Sequence, residues 1–203
     1  SITGGAGDDW ACRCEVCRKN FENQYGYEMP RIMTREVVSF RENSALEILD
    51  EASRRIKAIR PSARIVCCVH ATINTYYVKE SRGYDDWNKV GKTSSFDVFS
   101  TTILSYKLPR SYFKEITQRT VDISRKYGKE SQRWLMNYYQ QPDDVAEIRE
   151  IARLYADMGV DSLYAWTYRG GYGTVLAAPN ALEMWDMLGE AYGEVLDPKY
   201  KIK

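Results

Sequence analysis

Four times along this chain a short apolar run gives way to a polar and aromatic loop, and a helical stripe lies between one run and the next. That alternation restricts the fold more than any other feature. The runs are Ala63–His70, Phe96–Thr102, Gln132–Tyr139 and Ser162–Tyr168, the first apolar on both faces, as parallel strands buried under helices are. In front of the first, Thr34 starts a helix whose apolar positions Val37, Val38, Phe40, Leu46, Leu49, Ala52, Ile56 and Ile59 recur at steps of three and four. Arg60-Pro61 ends it. Asp86–Val90 reads as a short helical turn, and Ser111–Tyr127 as a helix closed by Gly128. Pro142-Asp143-Asp144 opens a helix striped by Val145, Ile148, Ile151, Ala152 and Tyr155 and closed by Gly159. Pro179-Asn180 opens the last, through Met184, Trp185, Met187 and Leu188.

Strands alternating with helices are parallel strands joined by right-handed crossovers. An open doubly wound sheet and a closed barrel both satisfy the pattern. The open sheet carries a glycine loop after its first strand, whereas His70 is followed by Ala-Thr-Ile-Asn-Thr-Tyr-Tyr. Polar, aromatic loops after every strand suit a barrel with its site at the strand C-termini. The expected fold is therefore α/β, the C-terminal half of a (β/α)8 TIM barrel built from four βα units. On that reading residues 1–203 form one half-barrel domain, with 8–30 a cysteine-containing loop and 31–203 the four units.

Lys and Arg number 29 against 28 Asp and Glu, and the signs interleave without a basic stripe. That argues against nucleic acid or an anionic membrane as partner. No apolar run reaches membrane-spanning length. Ser1–Gly7 is too polar for a secretion leader, and the five cysteines do not form a disulfide-like framework. The expected compartment is the reducing cytoplasm.

Cys12, Cys14 and Cys17 place three thiols within one tight loop. Soft sulfur suits Zn²⁺, which takes four ligands in a tetrahedron. The fourth ligand is open between His70, a carboxylate such as Asp8 or Asp9, and a cysteine in the absent half of the barrel.

The stretch Asp9-Trp10-Ala11-Cys12-Arg13-Cys14-Glu15-Val16-Cys17-Arg18-Lys19-Asn20-Phe21, with Tyr25-Gly26-Tyr27-Glu28-Met29-Pro30 after it, resembles the segment following strand four in glycoside-hydrolase-like barrels. It is similar in particular to the β-galactosidase type with a zinc-binding cysteine loop, and to its archaeal relatives. Gly159-Val160-Asp161-Ser162-Leu163-Tyr164-Ala165-Trp166-Thr167-Tyr168-Arg169-Gly170 resembles the last strand of such barrels. The resemblance implies a structural zinc on Cys12, Cys14 and Cys17, with the fourth cysteine upstream. It also implies a general acid shortly before the cysteines and a nucleophile at the end of the third strand here. Ser1–Gly7 holds no carboxylate, and the third strand ends in Tyr139, Gln140 and Gln141. Retaining glycosidases need two carboxylates about 5 Å apart. The chain by itself fills neither position.

Among 16 Tyr and 5 Trp, Tyr76, Tyr77, Tyr106, Tyr138, Tyr139, Trp166 and Tyr168 fall at or after strand ends. Aromatic faces stack on sugar rings. The candidate ligand-binding set is His70, Asn74, Tyr106, Gln140, Gln141, Trp166, Tyr168 and Arg169, a mixture of amides, imidazole and flat rings suited to hydroxyls. Asp97, inside the second run, needs a cationic partner, for which Arg169 is one candidate. The expected function is the sugar-binding C-terminal part of a carbohydrate-active barrel, a glycosidase when complete. The expected partners are the N-terminal half or a second copy of the chain. The alternative is a non-catalytic carbohydrate-binding or interaction domain on the same scaffold.

Overall fold

The computed structural model describes residues 12–70, 84, 86–102, 108–137 and 145–197. Four strands alternate with six α-helices, the α/β architecture expected of part of a TIM barrel. The elements are α1 (Glu15–Tyr25), α2 (Arg35–Ile59), β1 (Val66–Val69), α3 (Trp87–Lys92), β2 (Val98–Thr101), α4 (Arg110–Lys126), β3 (Glu130–Met136), α5 (Val145–Asp157), β4 (Ser162–Trp166) and α6 (Ala181–Leu196), with a 3-10 turn at Tyr168–Gly171. They fall into two compact units, Ser1–Asp97 and Val98–Lys203.

The first unit holds the one helix that periodicity does not reveal. Residues 15–25, expected as loop, form α1, which ends at Gly26 in the left-handed conformation with its N–H on Glu22 O. Phe21 is its only buried side chain, and it packs with Met29, Val37 and Phe40. Its ring lies edge-on to Phe40 at 5.5 Å. Thr34 caps α2 as expected, its Oγ1 accepting from the Val37 N–H at 3.3 Å. Lys89 Nζ donates to the buried Glu42 carboxylate at 3.1 Å, tying α3 to α2. Asp97 pairs with Lys57 at 2.7 Å and accepts from the Ile65 N–H at 2.8 Å. The cation paired with it therefore comes from α2.

In the second unit β2, β3 and β4 pair in parallel, with Ser100 opposite Gln132 and Gln132 opposite Ser162. Because side chains alternate across a sheet, this register puts residues 98 and 100, 132, 134 and 136, and 162, 164 and 166 on one face. The opposite face is covered by helices. Leu135 meets Phe113 of α4, Ile148, Ile151 and Tyr155 of α5, and Met184 and Leu188 of α6 in one core. Arg133 on that covered face is fully buried. Its guanidinium donates to Tyr155 OH at 2.9 Å and to Thr101 Oγ1, which in turn bonds Thr120 Oγ1 at 2.8 Å. Two of its three guanidinium nitrogens are thus met by hydroxyls, while Nε has no partner among the described residues. Gly128 and Gly159 close α4 and α5 with positive φ, as the sequence predicts. Among the described residues, no helix is long and apolar enough to cross a membrane.

Candidate functional site

The sheet face of the second unit that carries Ser100, Gln132 and Trp134 holds a polar ladder, Ser100 and Gln132 buried and Ser162 half-buried, with an aromatic shelf above it. Ser100 Oγ donates to Gln132 Oε1 at 2.9 Å, and Gln132 Nε2 donates to Ser162 Oγ at 3.3 Å. Three adjacent strands are cross-linked at one level. One level toward the strand C-termini stands Trp134, whose Nε1 donates to Ser100 Oγ at 2.7 Å. Its ring lies 5.2 Å from Tyr164 and 5.9 Å from Trp166. Tyr164 is 53% exposed and Trp166 47%. Two large rings are thus left open on this sheet face, while the core lies on the opposite one.

Beyond Trp166 the chain turns sharply. The Trp166–Thr167 peptide is cis, and Arg169, Gly170 and Gly171 all have positive φ. A Cβ on Gly170 would sit 2.7 Å from Ala181 O, so the turn admits no side chain there. Tyr168 packs edge-on to Trp185 of α6 at 5.2 Å, and the Arg169 guanidinium lies 5.8 Å from the Tyr172 ring. Arg169 and Tyr168 are exposed.

Of the residues expected from sequence, Trp166, Tyr168 and Arg169 lie together at and after the end of β4. His70 directly follows β1 in the first unit and is half-buried. Asn74, Tyr106, Gln140 and Gln141 lie outside the described residues, as do Tyr76, Tyr77, Tyr138 and Tyr139. Trp134 and Tyr164 were missed. Their signal was the period-two alternation Gln132-x-Trp134-x-Met136 and Ser162-x-Tyr164-x-Trp166, which puts each set on one face.

The second candidate centre is in the first unit. The thiol sulfurs of Cys12, Cys14 and Cys17 all lie within 4.8 Å of one another. Zn–S bonds of about 2.3 Å in a tetrahedron set sulfurs about 3.8 Å apart, so this grouping fits the ion. Among the described residues no fourth ligand joins the cluster. Cys14 is the N-cap of α1. Its pKa is lowered, chiefly by the Cys17 backbone N–H and then by the Cys12 and Cys17 side chains, although the contact is too loose to count as a side-chain cap. Cys17 is pushed up to about 12, first by burial and then by its two thiol neighbours. Cys17 packs against the Phe21 cluster, and Arg13, between two of the cysteines, donates to Met29 O at 2.8 Å and to Pro30 O. The cysteines are thereby anchored to the small core that joins α1 to α2.

No family model matches this sequence, and no curated protein matches it. Among solved structures, the fold is similar to that of a "putative alpha-L-fucosidase" from Bacteroides thetaiotaomicron, at a TM-score of 0.50 and 12% identity. The match covers 78% of this chain and 52% of that one, so the chain spans about half the neighbour's length. At that identity the likeness shows the fold alone: an α/β arrangement consistent with part of a TIM barrel.

Proposed function

We propose that this chain is the sugar-binding C-terminal half of a glycoside-hydrolase-like barrel, with a structural zinc on Cys12, Cys14 and Cys17. The aromatic shelf carries the reading. Trp134, Tyr164 and Trp166 present ring faces on the side of the sheet that would line a barrel lumen, and Trp134 is fixed from below by Ser100. Pyranose rings stack on such faces through their apolar side while their hydroxyls reach neighbouring polar groups. His70, Asn74, Tyr106, Gln140, Gln141, Tyr168 and Arg169 are the polar and aromatic groups we assign to that rim.

The half supplies binding, and any chemistry is completed by the other half. Among the described residues, no Asp or Glu stands at the C-terminal end of β3 or β4, where a catalytic carboxylate would act. The likeness to a fucosidase makes α-L-fucosides the first ligands to try. Calorimetric titration with a panel of oligosaccharides, fucosylated ones included, tests the reading. Trp166→Ala should lower affinity about tenfold, in line with loss of a stacking partner of roughly 1.4 kcal/mol. Equal binding by parent and variant, or none by the parent, would refute carbohydrate recognition at this shelf.

A further inference from the structure

Two of the three clustered cysteines stand at fixed places on one helix. Cys14 is the N-cap of α1, and Cys17 is its third residue. The Cys14 carbonyl accepts from the Arg18 N–H at 3.0 Å, so Cys14 already sits on the helical path. Residues three apart on an α-helix have Cα atoms about 5 Å apart, from its rise and radius. A disulfide needs a Cα separation of about 4.4–6.8 Å, so this pair can close without moving the backbone. Their sulfurs already lie within 4.8 Å of each other. Cys12 lies outside the helix, so helical geometry sets its distance to neither partner. The two helical thiols also differ in access. Cys14 is exposed, whereas Cys17 is half-buried and packs against the core of Phe21, Met29, Val37 and Phe40. An exposed sulfur followed three positions later by a sheltered one is the arrangement of a dithiol that exchanges with outside disulfides.

We propose that Cys14 and Cys17 form a reversible disulfide, so that the same two sulfurs either hold zinc or bond to each other. The dithiol rests on the helix geometry, and its exclusion of zinc rests on the metal reading above. The oxidant is a small-molecule disulfide such as oxidised glutathione. The Cys14 sulfur attacks one sulfur of that molecule, which breaks the glutathione S–S bond, forms a mixed disulfide and releases one glutathione thiol. The Cys17 sulfur then attacks Cys14 Sγ, forms the internal bond and releases the second glutathione. Two electrons pass from the cysteine pair to the glutathione pair, and the two thiol protons go to the leaving sulfurs. From the zinc-bound form the ion leaves instead, and the leaving sulfurs take protons from water. The bond removes two of the three sulfur ligands, and the one thiol left over cannot hold the ion in its tetrahedron. α1 keeps its N-terminus, because the bond spans a distance that the helix already has.

The test incubates the reduced, metal-free chain of 203 residues in a glutathione redox buffer and counts thiols by alkylation and mass. Two of the five thiols should be lost, and peptide mapping should place the bond between Cys14 and Cys17. Cys17→Ser should stop at the mixed disulfide, with one glutathione carried on Cys14. Cys12→Ser should still form the internal bond, which keeps the test decisive if the other variant fails to fold. Zinc loading should slow the bond at least about tenfold, since a metal-bound sulfur is not free to attack. The oxidant should in turn release zinc to a chromogenic chelator in step with bond formation. No bond, a bond through Cys12, or zinc held at full occupancy with the bond formed would overturn the proposal. A chain that forms the bond yet binds no zinc when reduced would sink the metal reading and leave the dithiol standing.

Discussion

The indole N–H of Trp134 donates to Ser100 Oγ at 2.7 Å, so one ring of the aromatic shelf is held by a hydroxyl on the neighbouring strand. Ser100 is fully buried and spends its own proton on Gln132 Oε1 at 2.9 Å. Ser100→Ala removes both bonds at once and leaves two polar groups without partners. We expect a loss of about 1–3 kcal/mol in urea unfolding, the usual cost of orphaned buried groups. Trp166→Ala, at a position 47% exposed, should cost about 1 kcal/mol or less and act on ligand binding. If the two variants are equally stable, the ladder does not hold the shelf.

Gly170 is fixed by a neighbour as well as by its backbone. Its φ is +63°, and an added Cβ would lie 2.7 Å from Ala181 O and 3.0 Å from Ala181 Cα, both backbone atoms that cannot swing away. Gly170→Ala should therefore destabilise the chain by more than the roughly 1 kcal/mol of left-handed strain alone. Gly173, also at positive φ but with nothing near its Cβ, is the control. Thermal unfolding should show a clearly larger drop for Gly170→Ala than for Gly173→Ala.

The punctuation of this fold was legible because single residues carry it. Thr34 caps α2, and Gly128 and Gly159 stop α4 and α5, each through a local backbone requirement. α1 was hidden because Glu15–Tyr25 buries only Phe21, so no apolar stripe exists to be read. Its boundaries come from Cys14 and Gly26 instead. The shelf was half legible: Trp166 stands at a strand end, where a barrel site is sought, but Trp134 and Tyr164 lie within strands and are found only through register. The partner of Asp97 was beyond reach, since Lys57 lies 40 positions earlier on another element.

Tyr192 should report its surroundings through its titration. Burial, and then the neighbouring Tyr164, push its phenol up to about 12 from an ordinary value of 10.0. Tyr84 in the first unit is raised to about 12 as well, first by burial. A folded pKa above the unfolded one means that the neutral phenol is favoured in the native state. The resulting stabilisation is whole below pH 10.0 and is lost as pH rises toward about 12. Tyrosinate absorbance should show a late-ionising fraction in native protein, and Tyr192→Phe should shrink it. A native titration superimposable on that of the unfolded chain would contradict this placement.

The cysteine cluster gives the last prediction, because its geometry couples a metal to a small core. Cys17 touches the Phe21 cluster, and Arg13 holds the chain between the cysteines to the carbonyls of Met29 and Pro30. An ion bound by the three sulfurs would join the N-terminus of α1 to the residues that lead into α2. Metal analysis should find about one zinc per chain. Chelation should speed hydrogen exchange through residues 12–30, and zinc should restore protection, since an ion bound only to the folded form stabilises it. Cys14→Ser should lower zinc content and reproduce the chelated pattern. Amides of β3, held by parallel strands on both sides, should be unmoved in either case. Metal-free protein with residues 12–30 already protected would show that Phe21, Met29, Val37 and Phe40 hold this region without an ion.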